Sequence, residues 1–589
     1  MQQVSNHGAP PDLSRTPASL TEPSTAAFGI STSLRDVDRS LSTHDATICG
    51  DPDSRGFIHG IKTAIETRFG LPIQKKLAPI PLLDAPLFGE NLNRMPPANQ
   101  GSLHLIDNAL PPRNHADQLV DVYWQYLDPI FSILDRDRFS RSYQLLFSGG
   151  ELDCDEKIFI STINFVFAWS IQLREKVPPS ERIDVSRTFF QRGWSLLRPE
   201  TIIWGPGSLE LVQCLLLLGT YLSCTSNLHN AYMTVGSATR IALSIGLNLP
   251  SNDTALDSCL RWKVWRQCVW LERKYACVLG RPSPPLSLPV RGVISTSQGN
   301  DQLDTLQNTH EIKMLELTEI FTHISLSQTA TSNTVAQRLG LPPLLRNTDF
   351  WTIMHIDKCL NNLVKDLVPP LRCDEDCDIQ LAIQEGKLDA QGIALNLRVL
   401  HLRLHLFRPT FCRFCLPQYH AGQTTTSNHS DLEARMTQDC ATLCVEASKR
   451  IVDLVCDCYN PEAEIGILPW WDRVVYLYIA CQHLLAAMLR PDIFKTVVPG
   501  HWRKAMSTLH AHEQLGPAVA ACISGFETMW QQITDMQHPT VGSDAGLPST
   551  VFSNTNAQDF LQSLGFESDE AFLNFGLEST DSANFEWRP

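Results

Sequence analysis

The chain has 589 residues, a hydrophobic fraction of 43% and a formal net charge of −15. This length allows one large or two ordinary domains, and the hydrophobic fraction is enough for an extended core. The acidic balance argues against a chain that as a whole grips a phosphate backbone, because nucleic-acid binders usually carry a basic patch. No secretory signal and no apolar run of membrane-spanning length is visible, so we expect an intracellular protein without a membrane segment, whose cysteines are mostly free thiols.

The N-terminal part has the composition of a linker. Residues 1 to about 50 are rich in Ser, Thr, Pro and Asp and carry few large apolar groups, which is typical of disorder. Residues 55–70 predict one short helix, and residues 72–112 again have the composition of a linker. We expect the ordered body to begin near residue 111, with a first helix that Asp128-Pro129 breaks and a second that begins near Asp135.

Helical periodicity dominates the body. A Gly-Pro-Gly turn at residues 205–207 precedes Ser208, which is placed to cap the next helix. That helix, residues 209–224, is apolar on nearly every side, which predicts a central position. In the helix after it, apolar and small side chains repeat every three or four residues, and Gly246 is expected to end it. Because the alternation typical of strands is scarce, the sequence predicts an all-α protein.

The most informative stretch is residues 258–286, SCLRWKVWRQCVWLERKYACVLGRPSPPL. Its apolar residues recur at the spacing of one helical face, and the tryptophans widen that face, so we expect a helix buried on most sides. The tryptophans are Trp262, Trp265 and Trp270. Gly280 suits the left-handed residue just past a helix end, and Pro282 prevents the helix from continuing.

This stretch resembles the signature of the fungal-specific transcription factor domain, the middle region of fungal zinc-cluster regulators. The family shows a basic and aromatic helix, then an acid-arginine pair, then Leu-Gly-Arg-Pro. The matching residues here are Trp262 to Trp270, Glu272 with Arg273, and Leu279, Gly280, Arg281 and Pro282. Glu272 stands where the family usually has Asp. The resemblance implies a large multi-helical domain in which these residues are structural.

Weaker resemblance to the same family extends on both sides of this stretch. It covers residues 111–147, which match the usual opening of the domain, and residues 395–411, which end in Leu-Phe-Arg-Pro. In the latter an apolar stripe predicts a helix that ends at Arg408-Pro409. Arg408 and Pro409 are therefore further candidate signature residues.

The C-terminal tail combines acids with aromatic residues. From residue 551 onward the sequence contains seven acidic residues and one basic residue, Arg588. Such alternation is typical of an acidic activation segment, because the repelling acids keep the apolar groups in water, available to a coactivator groove. The alternative is a disordered tail or a docked helix. The candidate contact residues are Phe560, Leu561, Phe566, Phe572, Phe575 and Trp587.

Cysteine and histidine constellations are weak, and enzyme motifs are absent from the sequence. Cys412 and Cys415 form one C-x-x-C pair, and Cys373 and Cys377 are spaced by three; free thiols are favoured over a four-ligand zinc site. No nucleophile elbow, zinc-hydrolase helix, phosphate loop or dinucleotide fingerprint occurs. We therefore assign no catalytic residue, no metal ligand and no cofactor.

The predicted organisation is a linker region at residues 1–110, the family's middle domain at 111–540 and the candidate activation segment at 541–589. The favoured function is a nuclear fungal transcriptional regulator that controls a metabolic or secondary-metabolite gene set. The family's DNA-binding element is a six-cysteine cluster that holds two zinc ions, yet Cys49 is the only cysteine in the first 150 residues. We therefore expect contact with DNA through a zinc-cluster partner or through an N-terminal segment missing from this sequence. A zinc-cluster factor or a second copy of the chain is the expected dimerisation partner.

Two alternatives remain open. The first is a co-regulator or repressor without its own cluster that dimerises with a zinc-cluster factor. The second is an α-helical ligand-binding protein or enzyme, which would need a convergent polar site that the sequence does not display.

Overall fold

The structure, a computed structural model, describes residues 54–69, 110–197, 202, 205–225, 228–249, 255–279, 281, 284, 286, 302–328, 350–373, 378–416 and 431–537. Across these ranges the backbone forms helices, turns and bends, and no strand occurs in them. The predicted all-α class is therefore confirmed. All described residues belong to one compact unit, Met1–Gln537.

Helices α1 to α9 come from the first half of the chain. In order they are α1 (Ser54–Phe69), α2 (Arg113–Val122), α3 (Asp128–Phe131), α4 (Arg136–Ser148), α5 (Glu156–Gln172), α6 (Pro179–Leu196), α7 (Leu209–Thr225), α8 (Leu228–Ser244) and α9 (Ala255–Val278). A π-helical turn, Tyr123–Leu127, joins α2 to α3.

Helices α10 to α18 complete the described chain. They are α10 (Gln302–Gln328), α11 (Phe350–Lys365), α12 (Ile379–Gln384), α13 (Ala390–Cys415), α14 (Asp431–Asp457), α15 (Trp470–Ala487), α16 (Pro491–Phe494), α17 (Val498–Ala511) and α18 (Pro517–Gln537). A short 3-10 turn, Glu513–Leu515, precedes α18.

One contiguous hydrophobic core extends from α1 to α18. Helices α5, α7, α9, α13 and α15 are buried along most of their length, which confirms the predicted central position of α7. The closest neighbours are α5 with α6, α7 with α8, and α13 with α14. Gly219 lets α7 approach α8, because a Cβ there would lie only 2.6 Å from Cγ2 of Val235.

Local capping signals work as the sequence predicts. The carboxylate of Asp135 accepts a 2.8 Å hydrogen bond from the backbone N–H of Arg138 at the start of α4. The hydroxyl of Ser208 accepts one of 3.1 Å from the backbone N–H of Leu211 at the start of α7. Gly246 adopts the left-handed conformation, with φ of 68°, just after α8. These three ends are set by side chains and backbone within a few residues of each helix.

The predicted break at Asp128-Pro129 is wrong. The helical backbone passes from α2 through the π turn into α3 and ends only at Ser132, whose φ is 45°. Pro129 lies directly after the π turn, and its fixed φ is compatible with the helical conformation of α3. The wider π turn before it supplies the change of register that the sequence pattern did not reveal.

The predicted helix end at Arg408-Pro409 is also wrong, because α13 continues through Pro409 to Cys415. Pro409 cannot donate to the carbonyl of His405, and a proline in a helix interior costs about 3 kcal/mol. The last turn of α13 is nevertheless buried, with Phe411 and Cys415 almost inaccessible to solvent. Burying one such large apolar side chain contributes about 1.5–3 kcal/mol, which offsets the lost hydrogen bond.

No helix among the described residues combines the length and the apolar character that crossing a bilayer requires.

Candidate functional site

The signature helix α9 lies within the core. Trp262, Trp265 and Trp270 are all buried, with at most 8% of their surface exposed. The ring of Trp270 lies 5.6 Å from that of Phe321 on α10. No tryptophan face of α9 is therefore open for stacking a nucleobase from solvent.

A buried ion pair joins α9 to α10. Nη2 of Arg266 lies 2.5 Å from Oε2 of Glu311, and both side chains are almost fully buried. Burial alone would raise the pKa of Glu311, but the nearby cations Arg266 and Lys263 outweigh it and the pKa is lowered. The ionised pair therefore fixes how the two helices pack.

Glu272 and Arg273 are neighbours in the sequence but point to different partners. Nη1 of Arg273 donates to the carbonyl of Thr318 at 2.9 Å, and Nη2 donates to the carbonyl of Leu286 at 2.7 Å. Arg273 thus ties the segment after α9 to α10. Glu272 is buried against α8, where burial raises its pKa and Arg240 opposes that rise.

The Gly-Arg-Pro exit of α9 is only partly described. Arg281 is exposed; its Nη1 lies 3.1 Å from Nδ1 of His229, and its guanidinium lies 5.2 Å from the ring of Tyr232 on α8. Gly280 and Pro282 lie outside the described residues.

Arg408 joins three helices in the core. It is 3% exposed, its Nε donates to Nε2 of His483 on α15 at 3.5 Å, and its guanidinium lies 5.3 Å from the ring of Phe57 on α1. Pro409, the next residue, is half-buried. Arg408 therefore lies in a packing position within α13 rather than on an open surface.

A polar cavity of about 50 Å³ lies behind the signature helix. Its wall comes from α9, α10, α13 and α15, with the α3 segment closing one side. Charged and polar side chains face it from helices that are otherwise apolar. They are Gln267 and Lys274 of α9, Arg398, His401 and His405 of α13, and Asp472 and Tyr476 of α15.

Within the described part of the chain, no hydrogen bond or ion pair joins the ammonium of Lys274, the carboxylate of Asp472 or the hydroxyl of Tyr476 to another residue, although Nζ of Lys274 lies 5.9 Å from the centre of the Tyr275 ring. Arg398 donates to the carbonyl of Ile130 at 2.9 Å. Burial lowers the pKa of Lys274 and Asp472 opposes it; burial raises the pKa of Asp472 and Lys274 opposes it. Burial also lowers the pKa of His401, to about 3, so this imidazole is neutral.

Sequence reasoning missed this cavity. The sequence pattern assigned no role to Lys274, Asp472 or Tyr476. One signal was present: charged residues inside a run of apolar residues, such as Asp472 and Arg473 between two tryptophans and two valines, need a reason to be buried. No pattern within either helix, however, indicates that α9 and α15 line the same cavity.

The described residues contain no group of three or more His, Cys, Asp or Glu that could hold a metal ion. Cys412 and Cys415 are buried in the last turns of α13, and Cys373 is partly buried. Cys377 and the whole candidate activation segment, including its six contact residues, lie outside the described residues.

Comparison with known proteins places these features in a family. The sequence profile of the fungal specific transcription factor domain matches residues 120–328. The sorbicillinoid biosynthetic cluster transcription factor sor3 of Hypocrea jecorina is 34% identical over 587 residues, covering 96% of this chain and 80% of that protein. The sorbicillinoid biosynthetic cluster transcription factor 2 of Penicillium rubens is 35% identical over 529 residues, covering 87% and 74%.

A more distant relative is the transcription factor FBD3 of Gibberella moniliformis, which is 21% identical over 82% of this chain and 65% of its own length. The matched profile contains the signature helix, and the two nearer relatives extend the similarity far beyond it. The chain therefore belongs to the fungal-specific transcription factor family and is a fungal transcriptional regulator.

Proposed function

We propose that this regulator controls a secondary-metabolite gene cluster of the sorbicillinoid type. The observation that carries the proposal is similarity over nearly the whole chain to two factors named for a sorbicillinoid biosynthetic cluster. A match confined to residues 120–328 would support only the general family role. Identity of 34% across 96% of the chain supports a shared target class as well.

The same proposal places the regulator in the nucleus and gives it protein partners rather than a reaction. It pairs with a zinc-cluster factor or with a second copy of the chain, its contact with DNA comes from a zinc-cluster factor or from an N-terminal segment outside this sequence, and residues 541–589 contact a coactivator. The acidic and aromatic composition of that segment supports this role, because aromatic residues kept in water by repelling acids can enter an apolar groove. The chain needs no metal, cofactor or catalytic residue of its own for these contacts.

The test is deletion of the gene, followed by comparison of all transcripts with those of the parent strain. A fall in a contiguous set of biosynthetic transcripts supports an activator of a gene cluster. A rise in such a set supports a repressor and overturns the activation role. If no transcript changes, the proposed function is wrong.

The activation segment has a separate test. Residues 541–589 are fused to a heterologous DNA-binding domain and assayed on a reporter. We expect activation, and we expect replacing the six apolar contact residues by alanine to abolish it while the acids remain. The matched control keeps the aromatic residues and replaces three acids, Asp559, Glu567 and Asp569, by their amides, which should weaken activation less. A silent parent fusion contradicts the assignment.

A further inference from the structure

Helix α1 is an N-terminal element that packs against C-terminal helices. Residues 70–109 separate it from the next described residue, Leu110, and its principal neighbours are the distant helices α15 and α18. The matched profile covers residues 120–328, so α1 precedes it and α15 and α18 follow it. The contact of α1 therefore joins two parts of the chain that both lie outside the matched range.

One face of α1 is apolar and buried. Its side chains recur at the spacing of a single helical face and have at most 2% of their surface exposed. They are Phe57, Ile58, Ile61, Ala64 and Ile65. Gly60, Lys62 and Thr63 are only half-buried. This is the pattern of an amphipathic helix that lies in an apolar groove.

Phe57 is the anchor of this contact. Its ring lies 4.7 Å from the ring of His483 on α15 and 6.3 Å from that of Phe411 on α13. The guanidinium of Arg408 lies 5.3 Å from the same ring. Phe57 therefore fills a pocket with two ring walls and one cation, which favours an aromatic side chain over an aliphatic one of similar size.

The helical state of α1 depends on this groove. A helix of 16 residues is marginal in water by itself, so α1 is helical because it is docked. An element that buries a single face and is joined to the body by a long segment opens at a lower free energy than the core. Release of α1 leaves α5, α7 and α9 in place, because none of these central helices is among its principal neighbours.

We propose that α1 is a reversible strap: it binds as a helix in the groove of α13, α15 and α18, with Phe57 as the anchor, and leaves it without unfolding the body. Because residues 541–589 follow α18, the bound strap ties the N-terminal part of the chain to the helix that leads into the candidate activation segment. The occupant is α1 of the same chain, since a tether of this length holds the helix near the groove at a roughly millimolar effective concentration. The role of the strap in regulation rests on the proposed function; the binding itself does not.

Competition by a peptide measures the strap directly. A fluorescent peptide of residues 54–69 is titrated with the full-length parent and with a full-length double-alanine variant, Phe57→Ala with Ile61→Ala, which removes the anchor ring and keeps the helix propensity. We expect the variant to stay folded and to bind the peptide about tenfold or more tightly than the parent, in which the tethered strap competes.

The matched control for this titration is Lys62→Ala, at a half-buried position of α1, which should bind the peptide like the parent. Equal binding by the parent and the double-alanine variant would show that α1 does not occupy the groove. Unfolding of the variant would show that α1 is an obligatory part of the core. Either result, or a folded variant that binds no peptide, makes the proposal wrong.

Cleavage of the tether tests whether the strap leaves. A site for a specific protease is inserted after residue 90 of the full-length chain, and the cleaved protein is analysed by gel filtration with and without excess peptide. We expect the fragment of residues 1–90 to elute with the body and to be displaced by the peptide. A fragment that separates without peptide, or one that stays despite it, refutes the strap.

The same gel filtration distinguishes a second copy of the chain as the occupant. Elution of the uncleaved parent at twice the mass of one chain, lost in the double-alanine variant, would place α1 in the groove of another copy. That result would overturn the intramolecular strap. Elution of the parent and the variant at the same mass supports it.

Transcripts separate the strap from the proposed function. The double-alanine and Lys62→Ala alleles each replace the natural gene, and the transcripts of the target cluster are compared. A change in the double-alanine strain alone supports a regulatory role of the strap. If deletion of the gene changes these transcripts but the double-alanine strain matches the control, the regulator stands and the regulatory role of the strap is wrong.

Discussion

The buried pair Arg266–Glu311 allows a quantitative test of how α9 is held. The two side chains are 1% and 7% exposed, and they meet at 2.5 Å through a single nitrogen of Arg266. Nε and Nη1 of Arg266 find no hydrogen-bond partner within the described residues. One nitrogen of the guanidinium is therefore paired with the carboxylate, while the desolvation of the other two nitrogens is not compensated by a hydrogen bond.

The expected magnitudes follow from this geometry. Glu311→Leu or Arg266→Met alone leaves one buried group without its counter-charge or its hydrogen bonds, which costs about 3–5 kcal/mol. Replacing both residues together, as Arg266→Met with Glu311→Leu, removes both charges and the desolvation of both. We therefore expect the double variant to recover most of the stability lost by either single variant.

Urea unfolding and thermal melting of the full chain at pH 7 measure this coupling. For a cooperative unit of roughly 400–500 residues, 1 kcal/mol changes the melting temperature by about 1 °C, so each single variant should melt about 3–5 °C lower. Circular dichroism of each variant confirms that it is folded before unfolding. If the double variant loses the sum of the two single losses, the residues are not coupled and this account of the α9–α10 contact is refuted.

Three further predictions concern local features. Pro409→Ala restores a backbone donor inside α13 and should raise the melting temperature by about 1–3 °C, since an interior proline costs about 3 kcal/mol. A lower melting temperature would show that packing of the proline ring stabilises the fold more than the restored hydrogen bond does. Asp135→Ala should cost about 1 kcal/mol by urea unfolding, while Asp135→Asn should retain the cap of α4; equal losses would contradict the capping role. Burial lowers the pKa of His310 and His512 to about 4, so the unfolded chain binds protons first as pH falls. Stability should therefore be complete above about pH 6.5 and fall toward pH 4 by about 1.4 kcal/mol per pH unit for each histidine, and the slope should be smaller in His512→Gln.

Local signals in the sequence were sufficient for most helices and for their ends. Periodic apolar residues identified α7 and α9, because a helix that is apolar on nearly every side has to be buried. The caps at Asp135, Ser208 and Gly246 were predictable for the same reason: each acts within one helical turn. Both errors at proline arose where tertiary packing outweighs a local preference, since burial of the last turn of α13 maintains a helix that Pro409 alone would end.

The cavity could not be predicted in this way. Lys274, Arg398 and Asp472 come from three helices separated by long stretches of sequence, and periodicity indicates which face of a helix is buried but not which face it meets. Burial of each charge is visible only in three dimensions. The family resemblance did not help either, because its strongest landmarks lie on α9 and its exit and do not indicate which helices α9 contacts.

Buried contacts across the core show whether the matched range, residues 120–328, could be stable without the helices that follow it. Arg398 donates to the carbonyl of Ile130 across 268 positions of sequence, and the indole of Trp470 donates to the carbonyl of Gln172 across 298. Trp169 of α5 also lies 4.9 Å from Trp471 of α15. Since these contacts are buried, removing α13 and α15 would expose apolar surface and leave backbone acceptors unpaired, at a cost of about 1–3 kcal/mol for each unpaired group. The matched range therefore depends on residues beyond it, because α13 and α15 supply buried partners to α3 and α5.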